Sequence, residues 1–374
     1  MTDYLNKETY NFYLPENLIA TNPNYDRDKC KLMTMNIKTG EIEHKFFYDI
    51  IDYLKKDDVL VLNDSKVIPA RIFSKKKTGG IVEILLLQKI DSSDNFWECL
   101  IRGKNIKEKD ILFLNYNSNN IKAIIEKDIL FLNYNSNNIK AIIEKDNIST
   151  KLIRFSKPLN NKILDNIGNI PLPPYIIQNR KKKGESEYND RDKEFYQNIY
   201  AKNEGSIASP TSGLHFTKEL LDKIKNKGIK ICYITLHVGF STFNPLKEDN
   251  IKNHIMHEEK FIIEKETADL IKEAKRKGRR IVACGTTVAR VLESEFDNGD
   301  FKRLKGTTDI FIYPPYEFKC ANALITNFHT PHSTLLAMVS AFAGYKNIMK
   351  AYKKAIENNY RFFSYGDAMF MYYE

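Results

Sequence analysis

The 374-residue chain has only 5 cysteines and 1 tryptophan. The cysteines stand at 30, 99, 232, 284 and 320, far apart, odd in number and without a C-x-x-C pair. That pattern argues against a disulfide framework and against a structural zinc site. No apolar run approaches the roughly 18–20 residues that a membrane-crossing helix needs. The first residues, MTDYLNKETYNFYLPENLI, lack the basic, apolar, small-residue order of a secretion signal. A cytoplasmic protein without membrane contact is therefore expected. Two glycine motifs are missing as well. Neither G-x-G-x-x-G nor G-x-x-x-x-G-K-[ST] occurs, so the dinucleotide fingerprint and the P-loop are both excluded.

What is present suffices for a folded core, with 42% hydrophobic and 28% charged residues. At roughly 150 residues per domain the length points to two domains, or three. The balance of 58 basic and 48 acidic residues leaves a net charge of +10. Such a charge suits a polyanion such as nucleic acid. An abundance of Lys, Asn, Ile and Tyr also accompanies AT-rich genes, so charge alone does not decide. The basic runs at 75–77, 180–183 and 275–280 are simplest as solvated surface.

One repeat precedes any structural reading. EKDILFLNYNSNNIKAII fills 108–125 and recurs letter for letter at 126–143. Two copies are too few to stack as a solenoid. Each reads as a hairpin, ILFL and IKAII about an Asn/Ser turn. The even unit length preserves inside–outside alternation, so one copy reads as an added, expendable hairpin.

The stretch 70–157 is strand-like throughout and predicts a small antiparallel β-barrel or curled sheet. The flanks alternate helix and strand. TKELLDKIKNKGI at 217–229 and KETADLIKEAKRKG at 265–278 have helical spacing and each leads into a strand. Further helices are predicted at VARVLESEF, 333–343 and 346–358. The fold class is α/β: a layered α/β domain, 1–69 and 158–374, with mainly parallel strands and an inserted small antiparallel β-barrel domain, 70–157.

Loops dense in Gly, Pro, Thr, Ser and His separate these elements. PLPPYI at 171–176 reads as extended and stiff, either a rigid linker or a cleft wall. GSIASPTSGLHF at 205–216 is a small-residue loop before a helix, and GTT at 285–287 lies between a strand and a helix. Both could bring backbone amides to an anion, although N-capping by Thr286 or Thr287 would also explain the second. TLHVGFSTFNPL puts His237 at a strand end, where open α/β sheets bind ligands. HIMHEE holds His254 and His257 but lacks H-E-x-x-H geometry, so no metal site is expected. TNFHTPHSTLL adds His329 and His332. Of the 7 histidines only His44 lies outside these loops, which suggests one site with several proton carriers. YRFFSYGDAMFM at 360–371 reads as a core strand with Arg361 at its edge, although its aromatics could also stack on a base.

With YLPENLIA, VLNDSKVIPAR, KTGGIVEILLL, YQNIYA, GTTVARVLES and NFHTPHSTLLAMVSAFAG added in order, the chain resembles the S-adenosylmethionine:tRNA ribosyltransferase-isomerase family of queuosine biosynthesis. The resemblance covers nearly the whole chain apart from the duplicated hairpin and its surroundings. It implies an enzyme that acts on tRNA carrying 7-aminomethyl-7-deazaguanine at the wobble position. The ribosyl part of S-adenosylmethionine would be transferred and isomerised, giving epoxyqueuosine with adenine and methionine released. S-adenosylmethionine would then be a consumed substrate, with no cofactor or metal needed and a monomer expected. The family has Gly at Ser241, Gly at Pro315 and Lys at His332, which puts detailed loop shape in question.

On this reading His215, His257 and His329 are the acid or base candidates, with Glu259 as an orienting carboxylate. Thr211, Gly213, His237, Gly239, Gly285, Thr286, Thr287 and Asn327 would bind the small substrate. Arg71, Arg290 and Arg361 would contact tRNA, unless Arg290 pairs with Glu293. Two rivals stand beside this reading. A zinc-dependent, base-exchanging tRNA transglycosylase would want clustered cysteines. A non-catalytic tRNA-binding protein would need only Lys and Arg.

Overall fold

The computed structural model describes residues 2–76, 81–91, 95–103, 111–116, 119–126, 129–134, 137–146, 150–155, 158–239 and 245–373. Two units emerge from its contacts, Met1–Lys66 with Pro173–Glu374, and Val67–Leu172. Among the described residues no helix is long and apolar enough to cross a membrane.

The first unit is built on a nine-stranded sheet. Its order is Ile42–Phe46, Lys31–Asn36, Ala368–Tyr372, Ala323–Asn327, Ile281–Cys284, Val59–Asn63, Lys230–Leu236, Glu259–Ile263 and Lys305–Thr308. Val59–Asn63, Ile281–Cys284 and Ala323–Asn327 are buried along their whole length, as strands covered on both faces must be. Alternate residues enter separate cores. Val59, Val61, Ile281, Ala283 and Leu324 face one way. Leu60, Leu62, Val282, Cys284, Ala323 and Ile325 face the other.

Helices cover both faces. Thr217 caps Lys218–Asn226 by accepting from the Leu220 N–H, and that helix buries Leu220, Leu221 and Ile224. Lys265–Arg276 buries Ala268, Ile271 and Ala274 on the other face, one helical turn apart. Thr286–Glu295, Thr334–Ala343 and Tyr345–Glu357 complete that layer.

Two expectations are corrected here. The sheet is mixed rather than mainly parallel: four of its eight pairings are parallel and four antiparallel. Glu259–Ile263 returns without a crossover helix and runs against Lys230–Leu236, and Ala368–Tyr372 runs against Ala323–Asn327 because two helices, Thr334–Ala343 and Tyr345–Glu357, intervene between them. The proline-rich stretch stays extended only to Pro173. Pro174 opens the helix Pro174–Lys182, because a missing N–H costs nothing at the first helical position.

The second unit is antiparallel. Its order is Gly168–Asn169, Arg71–Lys76, Ile81–Lys89, Phe96–Arg102, Lys151–Phe155, Asn137–Asp146, Ile129–Tyr134, Asn119–Glu126 and Ile111–Tyr116. The last strand also pairs back onto Arg71–Lys76. Val82, Ile84, Leu86, Trp97, Cys99 and Ile153 are buried there. The unit extends past 157 because Gly168–Asn169 pairs with Arg71 and Ile72. The two copies of the repeat form identical hairpins: Ile111 faces Ile124 in the first and Ile129 faces Ile142 in the second.

Candidate active site

In the first unit Val59–Asn63, Lys230–Leu236, Ile281–Cys284 and Ala323–Asn327 run parallel as adjacent strands. Ligands of open α/β sheets gather beyond the carboxyl ends of such strands. Immediately beyond these ends lie Val238, Gly285–Thr287 and Phe328–Thr330, which line a single hollow with Ser209–Ser212, Ser333 and Ser364. Its enclosed volume is about 90 Å³, and the rest of the hollow opens to solvent.

Each wall has a local cause. Gly285 sits at φ +96° ahead of the helix Thr286–Glu295, a backbone that side-chain-bearing residues rarely adopt. As N-cap it has no side chain to spend on the first-turn amides, so capping by Thr286 or Thr287 does not occur, and both threonines line the hollow instead. Asn63 staples two strand ends. Its Oδ1 accepts from the Leu236 N–H at 3.1 Å, and its Nδ2 donates to the Leu236 carbonyl at 3.0 Å and to Thr287 Oγ1 at 3.4 Å.

Thr211, Gly285, Thr286, Thr287, Asn327 and His329 are the expected site residues that this hollow brings together. His329 Nε2 lies 2.8 Å from Thr326 Oγ1, and its backbone N–H donates to the Tyr352 hydroxyl at 2.9 Å. Burial pushes its pKa down to about 3, so the imidazole is neutral near pH 7.

His215 lies outside the hollow's lining, in a smaller cavity with Arg27, Cys30 and Tyr365. Its Nδ1 is 3.1 Å from Cys30 Sγ, while its Nε2 and Asn327 Oδ1 are both buried without a hydrogen-bond partner among the described residues. Burial, reinforced by the Arg361 charge, pushes this histidine to about 3 as well. Asn327 Nδ2 donates to the Phe363 carbonyl at 3.1 Å. Burial raises the Cys30 thiol's pKa well above its ordinary value, so the thiol stays protonated beside Nδ1.

Other expected residues are placed elsewhere. Gly213 spends its N–H on the Pro210 carbonyl at 3.0 Å, and a Cβ there would lie 2.0 Å from the Tyr200 hydroxyl. Packing rather than anion binding requires that glycine. His257 is exposed on the approach to strand Glu259–Ile263 and does not line the hollow. His254 beside it packs its ring on Phe311, centroids 5.6 Å apart. His237 lies under Gly205, where a Cβ would come within 3.0 Å of its ring. Glu259 is buried, ion-paired with Arg290, and accepts from the Gly239 N–H at 3.0 Å.

That ion pair corrects the expectation for Arg290. A guanidinium 3% exposed cannot reach a polyanion, nor does it pair with Glu293, which accepts from the backbone N–H groups of Lys319, Cys320 and Ala321. Arg71, 4% exposed, pairs with Glu83 at 3.3 Å inside the second unit. Arg361 is the more open of the three and pairs with Asp367 at 3.4 Å. Of the departures noted in the sequence, Ser241 lies outside the described residues. Pro315 follows a cis peptide bond, and His332 engages Glu8 at 3.2 Å.

Sequence reasoning allowed a cleft wall at 171–176 and base-stacking aromatics at 360–371 but did not join the two. Tyr175 and Phe363 stack with centroids 4.4 Å apart and planes 26° off parallel, and both line the hollow. Phe363 sits at φ +73°, a backbone state costly for a non-glycine residue and typical of functional sites. The Ser364 N–H donates to the Tyr175 hydroxyl at 2.9 Å, fixing the pair. Proximity to prolines and aromatics made both residues look like linker and core.

The hollow, with its aromatic wall and its small polar residues, lies beyond parallel strand ends, where open α/β sheets place their ligands. The family described as queuosine biosynthesis protein matches residues 7–371, and the chain belongs to it. A protein from Sulfurihydrogenibium named S-adenosylmethionine:tRNA ribosyltransferase-isomerase is 49% identical, the match covering 96% of this chain and 98% of that one. A protein of the same name from Thermoanaerobacter is 47% identical over 98% and 99% of the two chains. A crystal structure of an S-adenosylmethionine tRNA ribosyltransferase from Thermotoga maritima is 34% identical, with a TM-score of 0.52 over 97% of this chain and 99% of that one.

Proposed function

We propose that this chain is an S-adenosylmethionine:tRNA ribosyltransferase-isomerase. It transfers and rearranges the ribosyl group of S-adenosylmethionine onto the aminomethyl group of 7-aminomethyl-7-deazaguanine in tRNA, and it releases adenine and methionine. The observation that carries this reading is the hollow shared by Thr211, Gly285–Thr287, Asn327 and His329, in a chain whose relatives bear that name over nearly their full length.

The chemistry fits these groups. The sulfonium acidifies the adjacent C5′ protons, so a neutral acceptor can take one. We assign that role to His329, which lines the hollow and is neutral near pH 7. The Tyr175–Phe363 stack offers π faces to an adenine ring or to the sulfonium charge. First-turn amides of Thr286–Glu295, open behind the Gly285 cap, suit a carboxylate. Buried Glu259 and Arg290 act one step removed, holding the Gly239 backbone in place. S-adenosylmethionine is consumed, so the reading needs no resident cofactor. The antiparallel unit is an inserted small barrel, Arg361 contacts tRNA, and the enzyme works as a cytoplasmic monomer.

The test is incubation with labelled S-adenosylmethionine and tRNA carrying the aminomethyl base. Adenine release that requires this tRNA is expected, and His329→Ala should lower its rate about 100-fold with folding intact. Failure of the wild-type protein to release adenine would sink the reading.

A further inference from the structure

Outside the hollow runs a second groove, lined by Asn11, Phe12, Tyr13, Leu14, Pro331 and Phe363 among others. Phe363 borders both cavities. The N-terminal wall is held to the site loops by backbone bonds. The His332 N–H donates to the Tyr10 carbonyl at 2.8 Å, and the Phe362 N–H to the Leu18 carbonyl at 2.8 Å. Phe12 is anchored edge-on against Tyr352, centroids 5.2 Å apart. Its neighbour Tyr13 is 83% exposed. It borders the groove together with Phe363, whose backbone is strained.

We propose that this groove seats an unstacked nucleobase of the tRNA, the neighbour of the wobble base, with Tyr13 as its stacking platform. Three observations favour that occupant. The groove has no charged residue in its lining, so it matches a base face and not a phosphate. Its walls are aromatic, and aromatic rings bind the π face of any base. It shares Phe363 with the candidate active site, so on this proposal a wobble base in the hollow has its neighbour at the groove. Asn11, whose Nδ2 donates to Glu8 at 2.9 Å, supplies a polar edge. The inference rests on the proposed activity for the identity of the RNA.

The experiment compares wild type, Tyr13→Ala and Tyr13→Phe in two assays. In adenine release, Tyr13→Ala should raise KM for modified tRNA about ten-fold or more while KM for S-adenosylmethionine stays unchanged, and Tyr13→Phe should restore it. In binding, an anticodon stem-loop with 2-aminopurine beside the wobble position should be quenched by wild type and Tyr13→Phe but not by Tyr13→Ala. An unchanged tRNA KM with unchanged quenching overturns the proposal. So does a dimer lost in Tyr13→Ala with RNA quenching intact, which would give the groove to a second copy of the chain. If wild type releases no adenine, the activity reading fails, and the quenching assay alone still decides the groove.

Discussion

The two units treat sequence change differently. In Val67–Leu172 an 18-residue string stands twice, and the second copy repeats the pairing of the first residue for residue. A sheet accepts such an insertion because hairpin pairs with hairpin by backbone bonds and an even step keeps each side chain on its face. The other unit has no comparable slack. Its site is assembled from side chains far apart in sequence, such as Asn63 with Leu236 and Thr287, or Cys30 with His215. Backbone regularity absorbs extra residues, whereas chemistry that depends on converging loops does not.

The largest blow to that contrast would come from Glu259. Removing it as Glu259→Ala strands the Arg290 guanidinium, 3% exposed, without its carboxylate. A buried pair broken on one side costs about 3–5 kcal/mol. It also frees the Gly239 N–H from its acceptor. The first unit should lose that stability in denaturant titration, while Trp97, the sole tryptophan and buried in the second unit, reports little change. Simultaneous loss of both signals would show that the two units unfold as one.

Much of this arrangement was legible beforehand. The helix at Lys218–Asn226 announced itself by Thr217 before it and Gly228 after it. Gly285–Thr287, Asn327 and His329, named from a small-residue loop and from the family resemblance, line one hollow. What failed had no local signal. Arg290 lies 31 residues from Glu259 in the chain, so only the fold could select it over Glu293, three positions along the same helix. Gly213 looked like an anion loop because a glycine required by packing reads the same as one required by a ligand. Tyr175 and Phe363 meet with Tyr175 in a helix that Pro174 opens, where three prolines predicted a stiff, extended linker or cleft wall.

A smaller effect concerns acid. His215 and His329 are both held at about 3 by burial, against an ordinary value near 6.5. The unfolded chain binds those protons first as pH falls. Their contribution is therefore complete above about pH 6.5 and is lost as pH drops toward 3, roughly 3 kcal/mol for each by pH 4 as an upper bound. Residues 67–172 contain no histidine, so this term belongs to the first unit alone. Far-UV signal from its helices should fall before Trp97 fluorescence on acid titration. His215→Gln should flatten that slope, and an unchanged slope would refute the assignment.

The smallest effect expected is from deleting 126–143. Because residues 126–128 and 144–146 are both Glu-Lys-Asp, the shortened chain joins Ile125 to the segment that follows Ile143 now. Ala123, Ile124 and Ile125 would inherit the present pairings of Ala141, Ile142 and Ile143 with Phe155, Arg154 and Ile153. The contact of Ile111–Tyr116 with Arg71–Lys76 would persist unaltered. What disappears is one hairpin and its junction, Ile129–Asn133 against Lys122–Glu126. An isolated hairpin is marginal in water, so stability should change by about 1 kcal/mol or less. The urea m-value should fall slightly, because less surface is exposed on unfolding. Adenine release should keep its wild-type rate, since the side chains that line the hollow all belong to the other unit. A deletion variant that folds but releases no adenine would mean the second copy serves the reaction, and the contrast between a tolerant sheet and an exacting site would no longer hold.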